Sequence, residues 1–197
     1  MSGSLPLTDF QAINFRTNQR TLVSTADDGT QFTRQIDGQR FSFTLSYPVK
    51  SRSEFASTMA FIMKQRSRKE TFTITLPSYI GNARGTVAGS PTGTASAGAT
   101  SITLGGTRSG SFLAGDLIKF ASHNKVYMVV EDNSDISSGT LTIEPPLKSA
   151  VSGSAITFDS VPITVRLNSD VQEFITNQSD SNSELLFNYE IDVIEAF

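Results

Sequence analysis

The sequence predicts a mainly β fold with one helix, an antiparallel β-barrel or sandwich that carries a small all-β insertion. Apolar and polar side chains alternate in several short segments, which is typical of half-buried strands. One stretch instead has apolar residues at helical spacing behind a capping signal. Residues 85–116 hold eight of the 14 glycines and only two charged residues, and the earlier strand pattern resumes after Val161. These observations indicate strands and one helix at the two ends, with an insertion between them.

The first segment, residues 10–39, is predicted to be a meander of short strands. Residues 20–25 are rich in β-branched side chains, and residues 31–36 form a second such run. Asp27-Asp28-Gly29 separates the two runs, and Asp37-Gly38 follows the second. Both short sequences are typical of tight turns, so each is expected to reverse the chain.

Residues 41–47 form the clearest predicted strand, because large apolar side chains alternate with hydroxyl side chains. The apolar set is Phe41, Phe43, Leu45 and Tyr47, and the hydroxyl set is Ser42, Thr44 and Ser46. We therefore expect one buried face. Pro48 ends the strand because it has no amide proton to donate. A second strand with the same alternation covers residues 71–76, and Pro77 ends it.

A single helix is predicted between these two strands. Ser51 and Glu54 form a capping box, in which each side chain bonds the backbone N–H of the other residue. The apolar stripe behind the cap, which we interpret as core, consists of Phe55, Met59, Ile62 and Met63. The cations near the end of the helix are Lys64, Arg66, Arg68 and Lys69. The helix dipole favours cations there, which is a sufficient structural reason for them, and DNA binding is the less favoured alternative.

Residues 85–160 are predicted to form a small all-β insertion domain. Five short strands are expected in this part, at residues 101–104, 116–120, 125–130, 140–143 and 155–158. The main domain is expected to be discontinuous, with residues 1–84 and 161–197 sharing one core. Its last part has strands at residues 162–167 and 185–193, and Phe174 and Ile175 anchor the polar stretch between them. The predicted core consists of Phe41, Phe43, Leu45, Phe55, Met59, Ile62, Phe72, Ile74, Phe187 and Ile191.

Composition excludes several classes of protein and site. The 197 residues include no cysteine, which excludes disulfide scaffolds and thiolate metal sites, and a single histidine, His123. No apolar run approaches the roughly 18 residues of a membrane helix, and the first residues lack a signal-peptide pattern, so we expect neither. The formal net charge of −3 argues against sequence-independent binding of nucleic acid by the chain as a whole.

The sequence offers little material for catalysis. His123 lies in the polar turn Ala121-Ser-His-Asn-Lys125 and is interpreted as a surface residue, and there is no Gly-x-Ser-x-Gly nucleophile motif. Asp132-Asn-Ser-Asp135 with Gly139 is faintly similar to a calcium loop, but the bidentate glutamate is missing, so we interpret it as a turn. We predict no catalytic, metal-binding or cofactor-binding residues, and a protein that is not an enzyme.

Charge is distributed unevenly along the chain. Residues 1–84 have a net charge of +5, residues 85–160 of −2, and residues 161–197 of −6. Opposite charges at the two ends indicate that the ends meet, either within the fold or between copies of the chain. Ordinary solvated surface charge is the alternative interpretation.

Two parts of the chain, residues 40–80 and 160–197, resemble a family of phage proteins. Phe41-Ser-Phe-Thr-Leu-Ser-Tyr-Pro48, the capped helix and Thr71-Phe-Thr-Ile-Thr-Leu-Pro77 form a strand–helix–strand unit, and residues 185–197 form a closing strand. This order of elements is similar to that of the distal tail proteins of tailed bacteriophages, including the minor tail protein M group of lambdoid phages. Leu113-Ala-Gly-Asp-Leu-Ile-Lys-Phe120, followed by Lys125-Val-Tyr127, resembles the β-insertions of phage tail proteins.

The resemblance implies a structural protein of the virion tail or baseplate, assembled in the cytoplasm of the bacterial host. It implies a homo-hexameric ring that joins the tail tube to the hub or tip and lets DNA pass without sequence-specific contact. An acidic inner wall would repel DNA and let it slide, which is a hypothesis at this point. Head-to-tail contacts between opposite charges would close such a ring. The candidate interface residues are Lys64, Arg66, Arg68, Lys69, Glu184, Glu190, Asp192 and Glu195.

The alternative function is a carbohydrate-binding or adhesion module of a host-recognition device, with the insertion as its site. The loops of the insertion are rich in Ser, Thr, Asn and Gly. Sugar sites usually contain aromatic rings for stacking, and the insertion offers only Phe112, Phe120, Tyr127 and Phe158, mostly at strand positions. Glycan binding is therefore not the expected function.

Overall fold

A seven-stranded sheet and a closed six-stranded barrel make up most of the computed structural model, which describes residues 3–137, 139–178 and 185–197. Strands account for 52% of the residues and helices for 9%, so the prediction of a mainly β fold is confirmed. The named strands all pair in antiparallel fashion.

The elements follow one another in three blocks along the chain. The first block is β1 (Ala12–Thr25), β2 (Gln31–Ser46), β3 (Lys50–Ser51), α1 (Arg52–Lys64), β4 (Phe72–Thr75) and the short α2 (Ser78–Gly81). The barrel strands are β5 (Ala88–Ala95), β6 (Ser101–Ser109), β7 (Leu117–Phe120), β8 (Val126–Val129), β9 (Thr140–Glu144) and β10 (Val151–Thr157). The chain then returns to the sheet with β11 (Pro162–Leu167), β12 (Phe174–Gln178) and β13 (Leu185–Glu195).

The sheet joins the beginning and the end of the chain. Its strand order is β1-β2-β13-β11-β4, and β3 and β12 also pair with β13. The last strand therefore lies at the centre, where Val193 is opposite Phe43 of β2 and Leu167 of β11. Around the barrel the order is β10-β5-β6-β9-β8-β7, and β7 pairs again with β10.

β1 and β2 form one long hairpin in place of the predicted meander. The turn at Asp27-Asp28-Gly29 is confirmed, because the Thr30 amide donates to Asp28 Oδ1 at 2.9 Å and Gly29 adopts a φ of 84°. Asp37-Gly38, by contrast, does not reverse the chain and lies within β2.

The feature at Asp37-Gly38 is a bulge in the hairpin. On one side of it Asn18 is opposite Arg40, and on the other side Arg20 is opposite Ile36, so β2 has extra residues there. Gly38 has a φ of 109°, which a residue with a Cβ rarely adopts. A glycine next to an aspartate can therefore mark a bulge as well as a turn, and here the hairpin continues for another six residues on each strand.

The main core lies on one face of the sheet, under α1. All of the predicted core residues are buried except Met59, which is partly buried, so this prediction is largely confirmed. The prediction for Met63 is wrong, because its side chain is 67% exposed and the helix buries a narrower stripe. The predicted cap is confirmed: the Ser51 N–H donates to Glu54 Oε2 at 3.0 Å, and this bond holds the pKa of the Glu54 carboxyl below its usual value.

The second face of β2 is also covered, which the alternation did not predict. Ser42 and Thr44 are buried because long side chains of β1 lie against them. Asn18 Nδ2 donates to Ser42 Oγ at 3.0 Å, and Arg16 Nη2 donates to Thr44 Oγ1 at 2.8 Å. Polar neighbours across a sheet can thus bury a hydroxyl face without an apolar partner.

The barrel has its own hydrophobic cluster, which includes Ile102, Phe120, Tyr127 and Ile143. The five predicted strands are all present, and β5 is an additional strand in the glycine-rich stretch. A Cβ at Gly93 of β5 would lie 2.5 Å from the Phe120 ring, so the missing side chain makes room for that ring. The glycines there serve packing in a barrel rather than a flexible linker. The division into two domains stays a prediction, because Leu117 and Val126 of the barrel pack in the cluster of the sheet.

Candidate subunit interface

The basic end of the helix, Lys64, Arg66, Arg68 and Lys69, lies on the surface. α1 ends at Lys64, and the chain then turns through Arg66 and Ser67, whose φ angles are 52° and 60°. All four cationic residues are exposed, and within the described part of the chain none of their side chains forms an ion pair. Ser67 Oγ donates to the carbonyl of Asp170 at 3.4 Å, which places this end of the helix beside the loop of residues 168–173.

The candidate acids Glu190 and Asp192 are exposed on β13. They alternate with buried Tyr189, Ile191 and Val193, so their side chains are on the face of the sheet opposite to the core. α1 packs on the core face, where the ring of Phe55 lies 5.4 Å from that of Tyr189. The chain therefore does not bring the helix end and these acids together.

Asp192 belongs to a chain of hydrogen bonds across three strands. Arg16 Nη2 of β1 donates to Thr44 Oγ1 of β2, and the Thr44 hydroxyl donates to the Asp192 carboxylate. Basic and acidic side chains are thus interspersed on this outer face. Arg16 lies beside Thr44, which bonds Asp192, so this face is not purely acidic, and the hypothesis of an acidic wall stays a prediction.

Glu195 is a correction to the predicted interface residues, because it is fully buried and cannot present charge to a neighbour. Its carboxylate pairs with the Lys125 ammonium, which is also buried. It further accepts from the amide of Val126 at 2.8 Å and from that of Phe41 at 3.2 Å. Glu184 lies outside the described residues.

The Lys125–Glu195 pair joins the barrel to the sheet. Lys125 Nζ also donates to Gln39 Oε1 at 2.8 Å and lies 4.7 Å from the ring centroid of Phe41. Burial lowers the pKa of the Lys125 ammonium, and the nearby Glu195 carboxylate opposes this shift. Seventy residues separate the partners, and sequence reasoning missed the pair because nothing in either local pattern marks a buried charge.

A groove with acidic and apolar walls lies beside β12 and β13, and we call it the acidic groove. Its volume is about 310 Å³. Glu173, Glu190 and Asp192 supply the carboxylates, and exposed Val171 and Ile175 supply apolar surface. The predicted anchor at Phe174 and Ile175 is therefore half right, because Phe174 packs on the core while Ile175 faces outward.

The distal part of the β1–β2 hairpin, residues 20–36, projects beyond the bulge, and we call it the arm. All of its residues are exposed except Ile36, which is partly buried. Leu22, Val23 and Phe32 are large apolar side chains in this exposed set. Sequence reasoning missed the arm. The signal was present, since neither run of the hairpin shows the alternation that a buried face produces.

The barrel residues considered for other functions are mostly buried. Phe112, Phe120 and Tyr127 are inaccessible, so only Phe158 of the four aromatic candidates is partly exposed for stacking on a sugar. His123 is half-buried rather than a free surface residue, because Nε2 lies 2.8 Å from the Tyr127 hydroxyl. Burial lowers the pKa of His123, and Lys148 and Lys119 add to this effect.

The barrel segment matches a known protein family. Residues 81–161 match the family model described as distal tail protein pb9, B domain. This match supports the phage distal tail protein family. The matched residues include every barrel strand and cover less than half of the chain. The predicted family is thus confirmed through the insertion, whereas the resemblance had rested on residues 40–80 and 160–197.

Two further findings concern the whole chain and its helices. No curated protein sequence matches the chain. No helix in the described ranges is long and apolar enough to cross a membrane. The family supports a structural role in the phage tail, and the similarity to the minor tail protein M group stays a prediction.

Proposed function

We propose that this distal tail protein forms a six-membered ring that joins the tail tube to the hub or tip and surrounds the path of the DNA. The family match of the barrel segment carries the proposal, since it supports a structural role in the tail. Its place is then the tail or baseplate of the virion, with assembly in the host cytoplasm. Its partners are further copies of itself and the tail proteins on either side.

Open strand edges support assembly with further copies. Among the described strands, β1 pairs only with β2, and β12 pairs only with β13, so each has an edge available for pairing. Such edges invite association unless another chain covers them. A contact between two different surfaces of one chain is heterologous, and repeated contacts of this kind close into a ring when the rotation permits.

The charges of the chain support a head-to-tail contact. The cations of the helix end, and the acids Glu190 and Asp192 of β13, are exposed, and no ion pair among the described residues joins them. We propose that the helix end, Lys64, Arg66, Arg68 and Lys69, borders the acidic region of a neighbouring copy. Exposed charges of this kind chiefly steer the encounter and set the register, and salt screens them.

The proposed role is structural rather than catalytic. Three of the four insertion aromatics are inaccessible, so the barrel offers little stacking surface for a glycan. The test is to count the copies of this chain in purified virions by quantitative mass spectrometry and to locate them with a labelled antibody. Six copies at the distal end of the tail support the proposal. Absence from virions, a variable copy number or a scattered distribution would overturn it.

A further inference from the structure

We infer that the arm of each copy docks into the acidic groove of the next copy. The inference rests on the proposed ring and names the contact that builds it. Both surfaces belong to this chain and both are exposed. Each has apolar side chains, and their charges are opposite in sign. The occupant of the groove is therefore a second copy of the same chain.

The arm has one apolar and basic face. In the hairpin register Leu22 is opposite Arg34, Ser24 is opposite Phe32, and Arg20 is opposite Ile36. Residues directly opposite each other in an antiparallel pair share a face, and alternate residues along each strand do as well. This face consists of Arg20, Leu22, Ser24, Phe32, Arg34 and Ile36.

The other face of the arm is different in character. Val23 is opposite Thr33, and Thr21 is opposite Gln35. It therefore carries hydroxyl and amide side chains around one valine, with no charge. Val23 is 59% exposed and Leu22 is 56% exposed, so the two faces provide matched positions for a test.

The acidic groove complements the apolar and basic face. Val171 and Ile175 offer exposed apolar surface to Leu22 and Phe32, the latter 63% exposed. Three carboxylates line the groove, and the face of the arm carries two arginines of opposite charge. Apolar anchors supply affinity, whereas charges around them supply orientation and rate.

The arm cannot occupy the groove of its own chain. Glu190, at the groove, is opposite Ser46, which is the end of β2 farthest from the arm. At ~3.3 Å per residue, Phe32 lies roughly 45 Å along β2 from Ser46. A contact between arm and groove therefore requires two copies, and because the two surfaces differ it propagates head to tail.

The test uses the absence of native cysteine in the chain. One preparation has Phe32→Cys, and a second, distinguished by a larger tag, has Ile175→Cys. After mixing and mild oxidation, non-reducing electrophoresis measures the mixed dimer. The matched control replaces Phe32→Cys with Val23→Cys, on the other face. We expect about tenfold more mixed dimer from Phe32→Cys, and equal yields or no mixed dimer would overturn the inference.

A second measurement separates failure of this contact from failure of the proposed ring. The variant Leu22→Ser with Phe32→Ser should raise the concentration needed for assembly by about tenfold or more, while Val23→Ser should not change it. Rings that form normally from the double variant would overturn the arm contact and leave the ring intact. A mixed dimer without rings in solution or in virions would retain the contact and overturn the ring. If the cysteine variants gave no mixed dimer and the unmodified chain formed no rings, both the contact and the ring would be overturned.

Discussion

At the scale of single residues, the Lys125–Glu195 pair is a buried ion pair with a large energetic consequence. Both charges are removed from water, and each is retained by several partners rather than by the other charge alone. Removing one member of a buried pair leaves an uncompensated charge, which costs about 3–5 kcal/mol. Replacing both members removes the charge altogether and is far less costly.

The first prediction follows from this asymmetry. Glu195→Gln should lower the free energy of unfolding by about 3–5 kcal/mol, and adding Lys125→Met should restore a large part of the loss. Urea denaturation followed by circular dichroism measures both. Asp9→Asn is the control, because the Lys50–Asp9 pair has a half-exposed carboxylate and should contribute within ~1 kcal/mol. A Glu195→Gln protein as stable as the control variant would mean that the pair is not buried in this way.

The basic helix end gives a second prediction at this scale. Arg66→Glu with Arg68→Glu should slow ring assembly at low salt and have less effect at high salt, because these exposed charges act at the edge of the contact. The stability of the single chain should change by no more than ~0.5 kcal/mol. Light scattering at two salt concentrations measures the assembly. Assembly at the normal rate in both salts would show that the helix end is ordinary surface.

At the scale of elements, the fold depends on the hydrophobic cluster that side chains of β2, β4, β13 and α1 form together. Phe43 and Phe72 are nearly inaccessible, and both belong to the cluster under α1. A Phe→Ala change at such a site loses the transfer energy of the ring and leaves a cavity. Truncating an exposed side chain of α1 removes no buried surface and leaves no cavity.

The third prediction compares these positions. Phe43→Ala and Phe72→Ala should each cost about 3–5 kcal/mol in the free energy of unfolding. Met63→Ala, at a 67% exposed site of α1, should change it by no more than ~0.5 kcal/mol. Denaturant unfolding of the three variants checks the order. Losses below about 1 kcal/mol at both phenylalanines would mean that the core faces are assigned wrongly.

The elements also show what a sequence pattern can and cannot predict. Alternation in residues 41–47 and the Ser51–Glu54 cap predict the last part of β2, the helix α1 and much of the core, because local periodicity decides which face is buried. Asp37-Gly38 predicts a turn but forms a bulge, since this pair of residues fits both and only the partner strand decides between them. The charge of Glu195 predicts an exposed side chain, because its buried partner Lys125 is 70 residues away and cannot be found from local sequence. The arm and the acidic groove depend on register and on tertiary placement, which single-sequence patterns do not contain.

At the scale of the whole molecule, the barrel contacts the sheet at several places, and two of these contacts bear on its excision. Where the chain enters and leaves the barrel, the Ala83 amide donates to the Phe158 carbonyl at 2.8 Å, and the Val161 amide donates to the Gly81 carbonyl at 3.1 Å. The ends of the excised segment are therefore neighbours, and a short linker can join them. The second contact is the Lys125–Glu195 pair, which an excision would break.

The fourth prediction concerns this excision. Joining residue 84 to residue 161 through a short Gly/Ser linker should leave a soluble protein that keeps the helix signal, as two domains would. Loss of Lys125 should destabilise the product, and Glu195→Gln within the excised chain should recover stability by removing the unpaired charge. Circular dichroism and urea unfolding of both excised proteins measure this. An insoluble product, or one without helix signal in either form, would show that the two parts share one core.

The central claim is the proposal that copies of this chain close into a ring, and native mass spectrometry of the purified chain tests it most directly. The account predicts one discrete assembly of six copies of the 21.3 kDa chain in equilibrium with single chains, with no open series of intermediate sizes. A chain that stays monomeric at every concentration, or a ladder of open oligomers without a closed end point, would contradict the claim.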